Sequence, residues 1–262
     1  MSALQANDIL LEDNDIFVIA QKVVSKAEGR AVNLAKVTPS QQALELAEKT
    51  EKDPRLVELI LQESNEVLRI RLGTIIVEHR LGFVCANAGI DHSNVASPLP
   101  PPLQRPIFVE ENSLPSKMKQ DKKGGNEGGG VRDEDWVLLL PEEPGRSAEI
   151  IRQEIQSKAG KRVGILIIDS HGRAWRNGTV GIAIGIAGLP GLQDLRGEQD
   201  LFGFMLRITQ VGVADELAAA ASLIMGQAAE GTPVVHVRGF PYPLREGTLQ
   251  ELLRPKEQDL FR

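Results

Sequence analysis

Cysteine is almost absent from this sequence: Cys85 stands alone among 262 residues. An internal disulfide is therefore excluded, as is a zinc or iron–sulfur centre built on several thiolates. No apolar run is long enough to span a bilayer. The N-terminus lacks a basic region followed by a long apolar stretch, which predicts no secretory leader and a cytoplasmic location. Positive charge is in deficit, with 30 Lys and Arg against 36 Asp and Glu and a net charge of −6. That argues against a whole-surface grip on nucleic acid, although a local basic cleft stays open. Four familiar signatures are missing as well: the G-x-x-x-x-G-K-[ST] phosphate loop, the G-x-G-x-x-G turn, H-E-x-x-H and the G-x-S-x-G elbow. An enzyme built on this chain must use a less common scaffold.

What is there reads as globular. Apolar residues make up 42% and charged residues 25%, both near average, and the length suits one large domain or two small lobes able to bury a core unaided. Ile16 to Ile19 reads as a buried strand, followed by a polar turn from Lys22 to Gly29. Thr38-Pro39 and Asp53-Pro54 carry helix-start signals. The first helix has Ala43, Leu44 and Ala47 on one side; the second has Val57, Leu59, Ile60 and Leu61. Thr74 to Val77 and Gly82 to Ala86 read as paired strands. Residues 96–135 are rich in proline, lysine and glycine, show neither helix nor strand period, and read as a mobile surface insertion. Order resumes at Trp136. Ser147 is the expected cap of a helix that stops at Gly160, and Val163 to Ile168 is a strand buried on both faces. Gly178 to Gly188 suggests close backbone packing. Leu206 to Val213 alternates like a strand, Asp215 to Met225 is an alanine-rich helix, Val234 to Val237 a last strand and Leu249 to Leu253 a short helix. Strands and helices without regular βαβ alternation indicate an α+β fold, and residues 1–262 are read as a single domain.

Two polar clusters follow apolar runs abruptly. Asn87-Ala88-Gly89-Ile90-Asp91-His92-Ser93-Asn94 is one; Asp169-Ser170-His171-Gly172-Arg173, with Arg176 beyond, is the other. Carboxylates at two strand ends suit a hard divalent cation such as magnesium or manganese, and Ser170 adds a neutral oxygen. Arg173 and Arg176 could neutralise phosphate. Taken alone, an aspartate after a strand more often caps a helix or closes an Asx-turn than binds a metal, and His92 and His171 are more often surface or hydrogen-bonding histidines than ligands. Residue chemistry alone thus reaches a possible metal and phosphate cleft, and no particular reaction.

The wording of those clusters goes further. Ser25-Lys26-Ala27-Glu28-Gly29-Arg30, Asn87-Ala88-Gly89-Ile90-Asp91 with Ser93-Asn94-Val95, and Asp169-Ser170-His171-Gly172-Arg173 resemble the coenzyme F420-0:L-glutamate ligase family. So do Gly181 to Gly188, Ala214-Asp215-Glu216, Met225-Gly226 and Arg238-Gly239, in the same order. The resemblance implies a GTP-dependent ligase that joins L-glutamate to the carboxylate of a deazaflavin precursor through an acyl phosphate. It implies two divalent cations, Mg2+ or Mn2+, and a two-lobed fold in an intertwined homodimer. By the same likeness Asp91 and Asp169 match ligands of the first cation, and Ser170 and Gln227 those of the second. Nucleotide contacts fall on Gln21, Lys22, Lys26 and Asn94, and on the loop Met225, Gly226, Gln227, Ala228, Ala229, Glu230, Gly231 and Thr232. The family's N-terminal strand and Gly-Pro segment find no counterpart here, so one nucleotide contact is expected to be missing. Other readings are a related ligase using another carboxylate acceptor such as a folate, a metal-dependent phosphohydrolase, and a non-catalytic nucleotide-binding remnant.

Overall fold

The computed structural model describes residues 9–93, 95 and 136–259. The expected insertion at 96–135 and Asn94 lie outside the described residues. The architecture is α+β, centred on a four-stranded mixed sheet. Strand β1 (Ile16–Ala20) lies in the middle, pairing antiparallel with β11 (Val234–Val237) and parallel with β7 (Gly164–Arg173), which pairs antiparallel with β8 (Arg176–Ala187). Alternation along β1 sorts its side chains to two cores. Phe17 and Ile19 join Ile165 and Ile167 on one face; Ile16 and Val18 join Leu166 and Ile168 on the other.

The first face is the larger. It packs against α2 (Gln41–Thr50), α3 (Pro54–Gln62), α4 (Pro144–Ala159) and a three-stranded antiparallel sheet of β3 (Ser64–Arg71), β4 (Thr74–His79) and β5 (Val84–Ala86). Val57, Ile60, Ile75 and Val77 are fully buried there, each contributing about 1.5–3 kcal/mol of burial free energy. The second face is covered by the alanine-rich helix α5 (Val213–Met225), whose Ala214, Ala218 and Ala221 seat directly on the sheet. That approach depends on Gly181 of β8: a Cβ there would stand 2.6 Å from the Ala218 carbonyl oxygen and 2.6 Å from Ser222 Cβ. The close backbone packing expected of Gly178 to Gly188 is thus a helix-to-sheet contact. Short pairs β2 (Ala31–Asn33) with β6 (Trp136–Leu138), and β9 (Gln193–Asp194) with β10 (Gln210–Val211), complete the sheets.

Several expectations need correction. Residues 22–29 do not form a turn: α1 (Gln21–Ala27) is a helix, because Gln21, Val24 and Ser25 are buried on one side of it, and Gly29 with positive φ closes it. Ser40 caps α2 by accepting from the Ala43 amide, two residues beyond the Thr38 signal. Asp53 caps α3 with Pro54 in its first turn, as expected. Ser147 sits inside the first turn of α4, which begins at Pro144. Of Leu206 to Val213 only Gln210 and Val211 are in a strand. Strand β3 had no counterpart in the sequence reading. Its solvent face carries Glu66, Arg69 and Arg71, and its pairing with β4 is broken by register shifts that disrupt alternation. No helix among the described residues is long and apolar enough to cross a membrane.

Candidate active site

The parallel pairing of β1 and β7 brings their C-terminal ends together, Ala20 opposite Ile168. Gln21 therefore emerges beside Asp169. Contrary to the sequence reading, Asp169 to Arg173 is not a loop but the outer half of β7, paired with β8 through Arg176. The period of two then sorts the cluster. Asp169 pairs across from Ile182, which packs on the larger core, and His171 shares its face; Ser170 lies opposite Gly181 and faces α5.

Asp91 reaches the same place by a different route. Asn87, Ala88 and Gly89 all have positive φ, at 51°, 52° and 64°. For Asn87 and Ala88 this left-handed backbone is costly, by about 1–2 kcal/mol each. Packing holds it: Ala88 is fully buried, Asn87 Oδ1 accepts from the Ile75 amide at 3.0 Å, and Leu140 fills the space over Gly89. Asp91 then exchanges two backbone hydrogen bonds with Leu138, at 3.0 and 2.9 Å. Strained backbone of this kind clusters at functional sites, which makes Asp91 a candidate.

The two carboxylates sense each other. Burial first, and then the charge of Asp169, push Asp91 up to about 6, against the opposing pull of Lys22 and Gln21. Each carboxylate is held at one oxygen. Gln21 Nε2 donates to Asp91 Oδ2 at 2.7 Å, while Gln21 Oε1 accepts from the Ser25 hydroxyl at 2.7 Å, which fixes the amide's orientation. Lys22 Nζ lies 3.3 Å from the same Oδ2 and reaches the Ser93 carbonyl and hydroxyl. Asp169 Oδ2 is met by His171 Nε2 at 2.9 Å. Across the strand, the Ser170 hydroxyl donates to Gln227 Oε1 at 2.8 Å. Cys85 lies close enough to Asp169 that burial and that charge push its thiol up to about 12, so it stays protonated and inert.

The residues named from the sequence thus fall into two groups. Gln21, Lys22, Asp91 and Asp169 converge on one face of β7. Ser170 and Gln227 meet on the other, where Gly226 begins the loop after α5 with φ +72°. In that loop the Glu230 carboxylate folds back beside Gly226 and accepts from the Ala228 amide at 2.8 Å. Met225 is buried, the loop from Gln227 through Gly231 is exposed, Thr232 is half-buried, and Lys26 is exposed at the end of α1. Arg173 and Arg176 lie exposed at the open end of the β7–β8 hairpin. His92 does not join the carboxylates: burial lowers its pKa and its charged neighbours are Lys52 and Asp53. Sequence reasoning missed Ser25, which follows Gln21 by one helical turn, and the tie from His171 to Asp169. Two-residue spacing would have exposed the latter had the segment been read as a strand.

The donor types on both faces suit hard divalent cations: two carboxylates on one, a hydroxyl and an amide oxygen on the other. Among the described residues no group of three or more His, Cys, Asp and Glu could hold a metal ion, so any cation here would rely on neutral oxygens and on its other ligands. The charge of Asp169 disfavours ionised Asp91, and a cation between them would relieve that penalty.

Comparison with known proteins identifies a family. The sequence profile of the F420-0:Gamma-glutamyl ligase family matches residues 1–105 and 114–239. A protein of Methanothermobacter thermautotrophicus is 45% identical over 264 residues, covering 100% of this chain and 90% of that one. One from Methanocaldococcus jannaschii is 43% identical over 252 residues, 96% of this chain and 86% of the relative. One from Methanopyrus kandleri is 41% identical over 266 residues, 100% and 91%. All three are named coenzyme F420:L-glutamate ligase.

Proposed function

The chain belongs to the F420-0:gamma-glutamyl ligase family, and from that premise we propose that it joins L-glutamate to the carboxylate of a deazaflavin coenzyme precursor at the expense of GTP. It is an enzyme of the ligase class. The observation that supports the site is the convergence of Asp91 and Asp169, distant in sequence, on one face of β7, where burial and then the charge of Asp169 raise Asp91 to about 6.

The chemistry follows from the substrate. A carboxylate resists attack by an amine because its charge repels nucleophiles and it offers no leaving group. Transfer of the γ-phosphoryl group of GTP to a carboxylate oxygen gives an acyl phosphate and GDP. The free amine of glutamate then attacks the acyl carbon, the C–O bond to phosphate breaks, and amide, inorganic phosphate and a proton are released. Neither step needs a serine, cysteine or histidine nucleophile; positioning and charge neutralisation suffice. Divalent cations, Mg2+ or Mn2+, would be held by Asp91 and Asp169 and by Ser170 and Gln227, and when bound would neutralise phosphate charge. Lys22, fixed by Asp91 and Ser93, contributes a positive charge at the same edge. The exposed loop at 226–231 and Lys26 are the proposed nucleotide contacts, and a homodimer is the proposed assembly.

The test is incubation with the deazaflavin precursor, GTP, manganese and L-glutamate, read by product mass. The expected product carries one or more added glutamates, and Asp91→Asn and Asp169→Asn abolish it without altering the fold. GTP-dependent amide formation by both variants would overturn the assignment of the site, and phosphate release without glutamate incorporation would overturn the ligase reading in favour of a hydrolase.

A further inference from the structure

We propose that His171 is a positioning residue that locks the carboxylate of Asp169 for cation binding, an inference that rests on the cation-binding reading of Asp91 and Asp169 given above. His171 follows Asp169 by two residues on β7, so the strand period places both on one face. Its Nε2 stands 2.9 Å from Asp169 Oδ2. The imidazole is 7% exposed, and Asp215 as well as Asp169 lies within electrostatic reach of it. Its ring centroid is 5.3 Å from that of Phe83, which in turn stacks on His79 at 5.1 Å.

Among the described residues Nδ1 is buried and finds no hydrogen-bond partner, as is also the case for His79 Nε2, so Nε2 is the one nitrogen that His171 uses. A buried polar atom left unsatisfied costs stability, whereas a phenyl or isobutyl group would fill the same space without that cost. What the imidazole adds over those groups is a donor aimed at Oδ2. Holding that oxygen removes the carboxylate's rotational freedom and leaves Oδ1 as the oxygen for a cation. Gln21 performs the same service for Asp91, also at Oδ2 and also from a buried side chain. The two carboxylates are thus presented by one device used twice. Partners that orient a ligating side chain in this way typically change metal affinity by about 10- to 100-fold.

The experiment is manganese titration of the full chain without nucleotide, followed by the electron paramagnetic resonance signal of the free hexaaqua ion. His171→Phe keeps a ring against Phe83 and removes the donor; it is expected to weaken manganese binding about 10- to 100-fold. His171→Gln restores an N–H near the position of Nε2 and is expected to bind within about threefold of wild type. If His171→Phe fails to fold, His171→Leu takes its place. Wild-type affinity in the variants lacking the donor, or equal losses in these and in His171→Gln, would overturn the proposal. Asp169→Asn separates the two layers of argument. Loss of binding in Asp169→Asn with full binding in His171→Phe sinks only the positioning role; undiminished binding in Asp169→Asn sinks the cation-binding reading itself.

Discussion

Replacing Glu63 with glutamine should destabilise the fold by about 2 kcal/mol at neutral pH, and the loss should shrink in acid. Glu63 lies just past α3, 7% exposed, and Oε1 and Oε2 accept from Arg30 and Arg80, each at 2.9 Å. Burial alone would raise its pKa. Its basic neighbours outweigh that penalty and bring it to about 2 from 4.5. Nε2 of fully buried His79 stands 3.7 Å from Oε2, longer than a hydrogen bond, so the guanidiniums carry most of the effect. At about 1.4 kcal/mol per pH unit, the gap corresponds to about 3 kcal/mol. Arg80 is 31% exposed, and screening at that side reduces the figure to about 2 kcal/mol. Because the folded-state value lies below the unfolded one, the stabilisation is complete above about pH 5 and drains away as pH falls through about 2. Urea unfolding of wild type and Glu63→Gln, compared at pH 7 and pH 3, measures it. The difference should fall to less than about half between the two. A difference that is the same at both pH values, or below about 0.5 kcal/mol at pH 7, would refute this account of the Arg30–Glu63–Arg80 cluster.

Gly181→Ala should lower stability by about 1–3 kcal/mol, because the new methyl meets the α5 backbone. Gly172→Ala, where nothing lies within 4 Å, should leave the melting temperature nearly unchanged, and equal shifts in thermal melts of the two would contradict the packing argument. Asp15 is 1% exposed and takes a bidentate pair from Arg238, at 2.8 and 2.8 Å. Asp15→Asn should therefore cost about 2 kcal/mol in denaturant unfolding while leaving manganese affinity of the folded protein unaltered.

The sequence made the central strands legible because their burial is nearly complete. Ile16 to Ile19 and Val163 to Ile168 are apolar throughout, and no helix period fits runs so short. Asp53-Pro54 located α3 for the same reason that it caps it. Where the text misled, polar residues were doing structural work inside elements. Lys22 to Gly29 looked like a turn because its buried face contains glutamine and serine alongside valine. The outer half of β7 read as lying beyond a strand that ended at Ile168 because Asp169, Ser170 and His171 break the apolar run. The aspartates were legible as carboxylates at two strand ends and through motif wording; that they meet depends on long-range pairings, of β1 with β7 and of Asp91 with Leu138, which no local pattern encodes. Ser25 and His171 stood inside the motif wording, but their ties to Gln21 and Asp169 gave no signal beyond spacing.

Strand β1 could slide by two positions along β7 and still send the same kinds of side chain into each core, since Ile16, Phe17, Val18 and Ile19 are nearly interchangeable in pairs. Such a slip, about 7 Å, would be almost silent to the hydrophobic effect. It would carry Asp15 away from Arg238 at one end and Gln21 away from Asp91 at the other. The ends of the strand are therefore latches: they penalise an error that greasy contacts alone would tolerate, and one of them also lies at the proposed cation site. A molecule threaded out of step would lose its grip on ions before it lost its compactness.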